Sequence, residues 1–207
     1  MLPAVFLLVA IIVLRLAPWL GGKEAVDAFS GFTPLVAYAL CGGVFLNRKQ
    51  AAWFPVLAII VTHGIINVLC ANEKFVRVDS IESFVAFIII VAAVVVVSAV
   101  GVSVKKKASF GVLLGTVTVS TVLFFLVSNT VSFFMDQRYE FSFLGWVRAL
   151  TLGLPGWPPT WEFLLRSLAG NIVFTVLFYA LCRNTTHRHG TVPAADDADR
   201  AESAVAA

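Results

Sequence analysis

Long apolar runs separated by short polar links make up most of the chain. A transmembrane α-helix needs about 20 mostly apolar residues, and six runs reach or approach that length. The predicted transmembrane helices are residues 2–20, 32–46, 51–70, 83–104, 108–135 and 164–182. The second run is short for a span, and the polar residues 183–207 are expected to form a disordered tail. The pattern therefore predicts an all-α integral membrane protein, a bundle of about six transmembrane helices.

The longest link, residues 136–163, is itself half apolar. Its segment FSFLGWVRALTLGL is compatible with a short helix in the membrane interface or with a re-entrant segment that folds back over the bundle. Trp146, Trp157 and Trp161 fit the aromatic belt found at membrane interfaces. The link is thus predicted to cover one end of the bundle before the last helix begins.

Composition supports a membrane protein and excludes other classes. Of 207 residues, 59% are hydrophobic and 13% are charged, and the mean hydropathy is +0.92, far more apolar than a soluble domain. No basic stripe indicates a nucleic-acid partner. Cys41, Cys70 and Cys182 each lie near the end of an apolar run and match no disulfide framework or metal motif, so they are expected to pack as small apolar residues.

The distribution of charge predicts an orientation. One side of the predicted bundle receives cations without nearby acids, namely Arg48, Lys49, Lys105, Lys106, Lys107, Arg183 and Arg188. The links on the other side mix basic and acidic residues. Because Lys and Arg are enriched in cytoplasmic loops, the first side is predicted to be cytoplasmic. The chain is then predicted to be a multi-pass protein of the cell (inner) membrane with both termini in the cytoplasm.

Polar residues inside the predicted spans are the candidate functional groups, since such residues are costly in a membrane and usually face a cavity or another helix. At about 1.5 Å per residue, those of four spans fall at similar depth in the outer leaflet. They predict an outward-facing pocket with His63, Asn67, Asn129 and Asn171 as ligand-binding residues, Arg166 and Trp161 at its mouth, and Arg15 as a weaker candidate. These groups suit a small polar or anionic solute, with Phe and Leu side chains as apolar walls.

Structural alternatives stand beside these roles. Asn129 and Asn171 are also compatible with helix-to-helix hydrogen bonds, which stabilise membrane proteins by about 0.6 kcal/mol on average. Arg166 lies one turn after Glu162 and suits an ion pair at the helix end. Arg15 suits a side chain that extends to the headgroups, and His63 suits a neutral ring bonded to a carbonyl oxygen.

Glycine spacing predicts where helices approach one another. Gly111 and Gly115 form a G-x-x-x-G pattern in the fifth span, a weak signal for helix contact. The adjacent Gly42 and Gly43 would also let a neighbouring helix come close.

No enzymatic motif is present in the sequence. It contains no G-x-S-x-G, no H-E-x-x-H and no pair of intramembrane carboxylates, and His63 alone does not make a metal site. No cofactor or metal is therefore predicted. The Walker A pattern is also missing, so the chain is not expected to hydrolyse ATP by that route.

Several stretches resemble one protein family. They are FTPLVAYALCGGVFLNRKQAAWFPVLAIIVTHGIINVL, LFFLVSNTVSFF and LAGNIVFTVLFYAL, together with the long link between the last two. They look like parts of small bacterial membrane proteins assigned to transport, which are similar to the substrate-binding S components of energy-coupling factor transporters. The resemblance covers about 150 residues. It implies six helices and a vitamin-like or metal substrate bound near the outer face, with a transmembrane coupling subunit and ATPases as partners.

Departures from that family's pattern qualify the resemblance. An acidic residue often stands where this chain has His63, and another where it has Asn171, so this site has lost negative charge. A clean A-x-x-x-A for contact with the coupling subunit is missing from the first span. The sequence thus predicts a solute-binding transport subunit in membrane lipid with an unidentified small solute. The alternative is a structural or assembly membrane protein without a ligand.

Overall fold

The computed structural model describes residues 9, 11–17, 20, 21, 34–46, 48–69, 81–156 and 158–189, and for some helical residues, Asn67 among them, it describes the backbone only. Every regular element in this part of the chain is helical, which confirms the all-α class. The predictions for Trp157, Cys70, residues 190–207 and most of residues 2–20 lie outside the described residues.

Six labelled helices follow one another along the chain. They are α1 (Leu35–Phe45), α2 (Arg48–Leu69), α3 (Ile81–Val104), α4 (Phe110–Met135), α5 (Phe143–Thr151) and α6 (Thr160–His189). Residues 11–17, here called the N-terminal segment, are also helical. In the described part, three segments are long and apolar enough to cross a membrane, namely Phe84–Lys107, Phe110–Met135 and Thr160–Leu181. They indicate a membrane protein, and the count of six spans stays a prediction.

The short helix α1 is the centre of the bundle. Every residue from Leu35 to Val44 is buried, and α1 contacts α2, α3, α4 and α6. Its 11 residues make it about 16 Å long, roughly half the thickness of a bilayer's hydrocarbon core. Pro34 directly precedes it and suits a helix start because its fixed φ fits the first turn. Within the described residues, this predicted span is a buried half-length helix.

At each end of α1, one backbone group is bonded to a side chain from a distant part of the chain. The Asn171 side chain of α6 accepts a hydrogen bond of 2.7 Å from the Ala37 N–H, and the Lys105 ammonium donates one of 3.1 Å to the Leu46 carbonyl. A helix leaves four N–H groups and four carbonyls without partners inside itself, and lipid offers none. A short helix inside the bundle therefore depends on its neighbours for capping.

A close helix crossing joins Gly43 of α1 to Gly101 of α3. A β-carbon on Gly43 would lie 2.9 Å from the Gly101 Cα and would overlap the Ser98 carbonyl oxygen. By contrast, β-carbons on Gly111 and Gly115 would meet nothing within 4 Å. The G-x-x-x-G of α4 therefore makes no close contact among the described residues, whereas one of the two adjacent glycines of α1 does.

The segment after α4 folds back against the bundle as α5. Ser142 caps this helix by accepting a 3.0 Å hydrogen bond from the Gly145 N–H, and the Trp146 indole N–H donates to the Thr130 hydroxyl of α4 at 3.0 Å. Gly153, with φ of +71°, ends the helix by donating its N–H to the Arg148 carbonyl. Phe143 and Leu144 remain largely exposed, as expected of a helix in a membrane interface. A helix does form here, and its membrane position stays a prediction.

Helix α6 extends beyond both ends of the predicted span 164–182. It begins at Thr160 rather than residue 164 and continues to His189 rather than ending at residue 182. Residues 183–189, which belong to the predicted disordered tail, are therefore helical. The polar residues of this stretch extend the helix without interrupting its backbone hydrogen bonds, because none of them is proline or glycine.

Asp136→Asn is expected to lower the free energy of unfolding by less than about 1 kcal/mol at pH 7. Arg138 contacts Asp136 at 2.6 Å from a side chain that is 64% exposed, and its hydrogen bond lowers the carboxyl pKa. Because the native pKa is lowered, the pair stabilises the fold above about pH 4 and is lost as the pH falls through the native pKa. Thermal melts in detergent at pH 7 and pH 3 measure this. Gln137→Ala, which leaves the ion pair intact, is the control and should melt like wild type at both pH values. A difference in stability between Asp136→Asn and wild type that persisted at pH 3 would contradict the assignment.

Candidate functional site

A cavity lies at the N-terminal end of α1, between α4 and α6. Its volume is about 120 Å³. The side chains around it combine amides and hydroxyls with phenylalanine rings. The lining residues are Leu35, Val36, Thr121, Phe124, Phe125, Ser128, Asn129, Phe163, Ser167 and Asn171. The cavity therefore brings together two of the predicted ligand-binding residues, Asn129 and Asn171, which are 42 positions apart in sequence.

Asn171 holds the cavity's architecture. The residue is 1% exposed, its carbonyl oxygen accepts from the Ala37 N–H, and its amide donates a 2.8 Å hydrogen bond to the Ser167 carbonyl of its own helix. A primary amide has two N–H donors, so one donor remains beyond these bonds. Asn171 thus combines a helix-to-helix hydrogen bond with a position on the cavity wall.

The hydrogen bond described for Asn129 stays within its own helix. Its amide donates a 2.9 Å hydrogen bond to the Phe125 carbonyl of its own helix, and the residue is only half-buried. The side-chain oxygen can accept hydrogen bonds and the second amide N–H can donate one. Ser128 and Thr121 donate their hydroxyls to carbonyls within α4, which leaves their oxygens able to accept.

The start of α1 lies at the cavity wall. Of its four N-terminal N–H groups, Ala37 donates to Asn171 and Tyr38 donates to the Pro34 carbonyl. The other two belong to Leu35 and Val36, which both line the cavity. A helix N-terminus carries a partial positive charge of roughly half a unit. The cavity wall is therefore neutral in formal charge, and the positive end of the α1 dipole lies beside it.

His63 and Arg15 do not line this cavity. The His63 ring of α2 stacks on Phe87 of α3, with the ring centroids 4.6 Å apart. Arg15, in the N-terminal segment, is close enough to His63 for an electrostatic interaction. Asn67 is also on α2, and its side chain lies outside the described part. The structure thus places His63 and Arg15 apart from Asn129 and Asn171.

Arg166 and Trp161 lie in the first two turns of α6. The Arg166 guanidinium contacts the Glu162 carboxylate at 2.8 Å and lies 5.9 Å from the centre of the Phe163 ring. The ion pair suggested by their spacing is therefore formed. Trp161 is 47% exposed, and neither Trp161 nor Arg166 is part of the cavity wall.

A wider groove lies where α4 ends and α5 begins. Its volume is about 500 Å³, and its lining residues are Thr130, Phe133, Phe134, Phe141, Ser142, Phe143 and Trp146. The Trp146 indole and the Ser142 hydroxyl are already used in hydrogen bonds that hold α5. This mainly aromatic surface suits contact with lipid at the interface. No group of three or more His, Cys, Asp or Glu side chains that could hold a metal ion occurs in the described part.

A protein-family comparison matches residues 1–193, which include every residue of the cavity wall. The chain belongs to this family. Its description is "Family of unknown function (DUF6580)". Comparisons with curated proteins and with solved structures found no significant match. The match thus extends over the whole described part of this family member, and the cavity has to be interpreted from its own chemistry.

Sequence reasoning missed part of the cavity. Ser167 is one turn before Asn171, so its place on the same helix face could have been derived from helical spacing. The N–H groups of Leu35 and Val36 carry no side-chain signal, and only the short length of the second apolar run pointed to a helix that ends within the bundle.

Proposed function

We propose that this family member is the solute-binding subunit of a membrane transport system. The observation that supports it best is the cavity that Asn129 and Asn171 line together with Leu35 and Val36, the first two residues of α1. Half-length helices that end inside the membrane recur in transporter binding sites, because their exposed backbone groups and dipoles bind polar solutes. In this proposal, α1 is such a helix.

The chemistry of the cavity defines the solute's polar part. Donors come from the N–H groups of α1 and the second amide N–H of each asparagine, and acceptors come from the Asn129 oxygen and the hydroxyl oxygens of α4. Carboxylate, carbonyl or hydroxyl groups match this set, while Phe124, Phe125 and Phe163 would enclose the apolar part of the solute. The positive end of the α1 dipole favours a solute whose negative group points toward Leu35 and Val36.

The size of the cavity limits the solute. Its volume of about 120 Å³ is below the roughly 300–1,000 Å³ of pockets for drug-sized ligands and close to the roughly 150 Å³ of a cavity that binds benzene. A solute of about six non-hydrogen atoms is therefore expected. A vitamin-sized substrate, which the resemblance to S components implied, would require the helices around α1 to separate.

The topology of the proposed subunit follows from charge and depth. Six spans with both termini in the cytoplasm would make it a multi-pass protein of the bacterial inner membrane, with the cavity in the outer leaflet and the link before α6 near its mouth. Because no Walker A motif is present, energy for transport would come from partner subunits. A transmembrane coupling subunit with ATPases is the arrangement that the resemblance implies.

The second candidate function is a structural or assembly protein without a solute. The observation in its favour is that Asn171 and Arg166 both make internal bonds, to Ala37 and Glu162. In this alternative, the cavity would hold water and the polar residues would only join helices.

Asn129→Leu is expected to weaken solute binding at least tenfold while the protein stays folded. The substitution removes a donor and an acceptor from the wall, and the Phe125 carbonyl keeps its place in the α4 backbone ladder. Detergent-purified protein is titrated by calorimetry and thermal melting with carboxylates, amides and polyols of two to four carbons. Compounds that bind wild type with a Kd at or below about 1 mM, a binding free energy of about −4 kcal/mol, count as solutes.

Thr116→Val is the matched control. Thr116 is also on α4 and donates its hydroxyl to a carbonyl of its own helix at 2.7 Å, but it does not line the cavity. Its variant should bind like wild type. If no compound in the panel binds, or if Asn129→Leu binds as tightly as Thr116→Val, the proposed function is wrong and the structural alternative stands.

A further inference from the structure

Arg15 is a half-buried cation with no carboxylate partner among the described residues. Its Nε is buried and donates no hydrogen bond. Ile11, one turn earlier, is 1% exposed and belongs to the apolar core formed with α1, α2 and α3. Because residues four apart share a helix face, Arg15 lies on the face of the N-terminal segment that packs against the bundle.

Two other arginines in the described part of the chain are paired with carboxylates, and Arg15 is not. Arg138 and Arg166 each contact a carboxylate, that of Asp136 and of Glu162, within 3 Å. No described acidic side chain forms such a pair with Arg15. A guanidinium stays charged in proteins, and an unpaired charge in apolar surroundings is strongly unfavourable. A negative group from outside the described chain would remove this cost.

The neighbourhood of Arg15 favours an anion. Ile11 and Ile59, each one helical turn before Arg15 and His63, belong to one apolar core, so both residues lie beside it and within range of an electrostatic interaction. The His63 ring stacks on Phe87, which adds an aromatic wall. Arginine binds oxyanions through two parallel N–H donors, which makes it well suited to phosphate groups. Its place toward the end of the predicted span 2–20 is within reach of the headgroup region, where phosphate is abundant.

We propose that Arg15 and His63 form a phosphate-binding site between the N-terminal segment and α2. The phosphate is supplied by the headgroup of an anionic phospholipid or by a free phosphate. Neither residue lines the cavity that contains Asn129 and Asn171. The site is therefore separate from the proposed solute site and does not depend on its function.

Arg15→Gln is expected to weaken phosphate binding at least tenfold. The full chain is delipidated in detergent and studied in two arms. The first is native mass spectrometry with dioleoyl phosphatidylglycerol, compared with the zwitterionic dioleoyl phosphatidylcholine. The second is thermal melting in potassium phosphate, compared with potassium chloride of equal ionic strength. Loss of phosphatidylglycerol binding would identify a lipid source, and loss of the phosphate-dependent rise in Tm would identify a free phosphate.

Arg166→Gln is the matched control, since it removes the same charge from an arginine that is paired with Glu162. It should keep at least half of the wild-type affinity for both probes. The proposal is overturned if Arg15→Gln leaves both arms unchanged or if Arg166→Gln loses as much binding.

Stability without added phosphate gives a second, independent test. With no anion present, Arg15 carries an uncompensated charge, so Arg15→Gln should melt at or above the wild-type Tm. If it melts several degrees lower, the charge is balanced inside the protein and the proposal is wrong. Arg15→Lys keeps the charge but not the paired donors, and it should retain only part of the binding.

Discussion

Gly43→Ala is expected to lower the free energy of unfolding by about 2–3 kcal/mol, because the added β-carbon has no room between α1 and α3. It would lie 2.8 Å from the Val102 nitrogen and 2.9 Å from the Gly101 Cα. These atoms belong to the backbone, so no side chain can rotate away and the helices must move apart. The higher helix propensity of alanine, about 1 kcal/mol, offsets only part of this cost.

Thermal melts or denaturant titrations in detergent measure the effect. Gly115→Ala is the matched control, because a β-carbon there meets nothing within 4 Å, and it should be neutral or stabilising by up to about 1 kcal/mol. Gly101→Ala, on the opposite side of the crossing, should behave like Gly43→Ala. Equal stability of the Gly43 and Gly115 variants would show that α1 and α3 do not cross at these glycines.

Asn171→Leu is expected to lower the free energy of unfolding by about 2–3 kcal/mol, because it leaves the buried Ala37 N–H without a partner. The lost bond of 2.7 Å joins residues 134 positions apart and holds the start of α1 against α6. Leucine is close to asparagine in size, so the effect measures mainly the missing hydrogen bonds. The same melts in detergent, without added solute, quantify it.

Asn129→Leu is the control for this prediction. It removes an amide from the same cavity, but one whose hydrogen bond goes to the Phe125 carbonyl of its own helix. Its effect on stability should stay within about 1 kcal/mol. If both variants are equally stable, the Asn171 bond does not hold α1 in place. If the Asn129 variant is the less stable one, the architectural roles of the two amides are reversed.

The candidate site was partly predictable from the sequence. Counting residues from the span ends placed Asn129 and Asn171 at similar depth, and the structure brings both to one cavity. The same count placed His63 and Arg15 at that depth, yet they lie outside the cavity wall. Depth is one coordinate along the membrane normal, and it carries no information on how the helices are arranged around the bundle axis.

The glycine signals show a similar limit. G-x-x-x-G is a spacing on one helix, and a close crossing also needs a partner helix that presents a small residue at the same level. Gly111 and Gly115 have no described neighbour within 4 Å of an added β-carbon, whereas Gly43 meets Gly101, which is 58 positions later in the chain. A local pattern does not contain that pairing.

The sequence by itself determined that this protein is helical and suited to a membrane, because long apolar runs leave an α-helix as the structure that satisfies their backbone in lipid. It also determined the approximate positions of the helices from α1 to α6, since polar links and proline interrupt the apolar runs. Only the tertiary structure decided that the short α1 is the buried centre, that Asn171 and Lys105 cap its ends, and that a cavity forms there. These features depend on contacts between residues far apart in the chain, and such contacts are set by how whole helices pack.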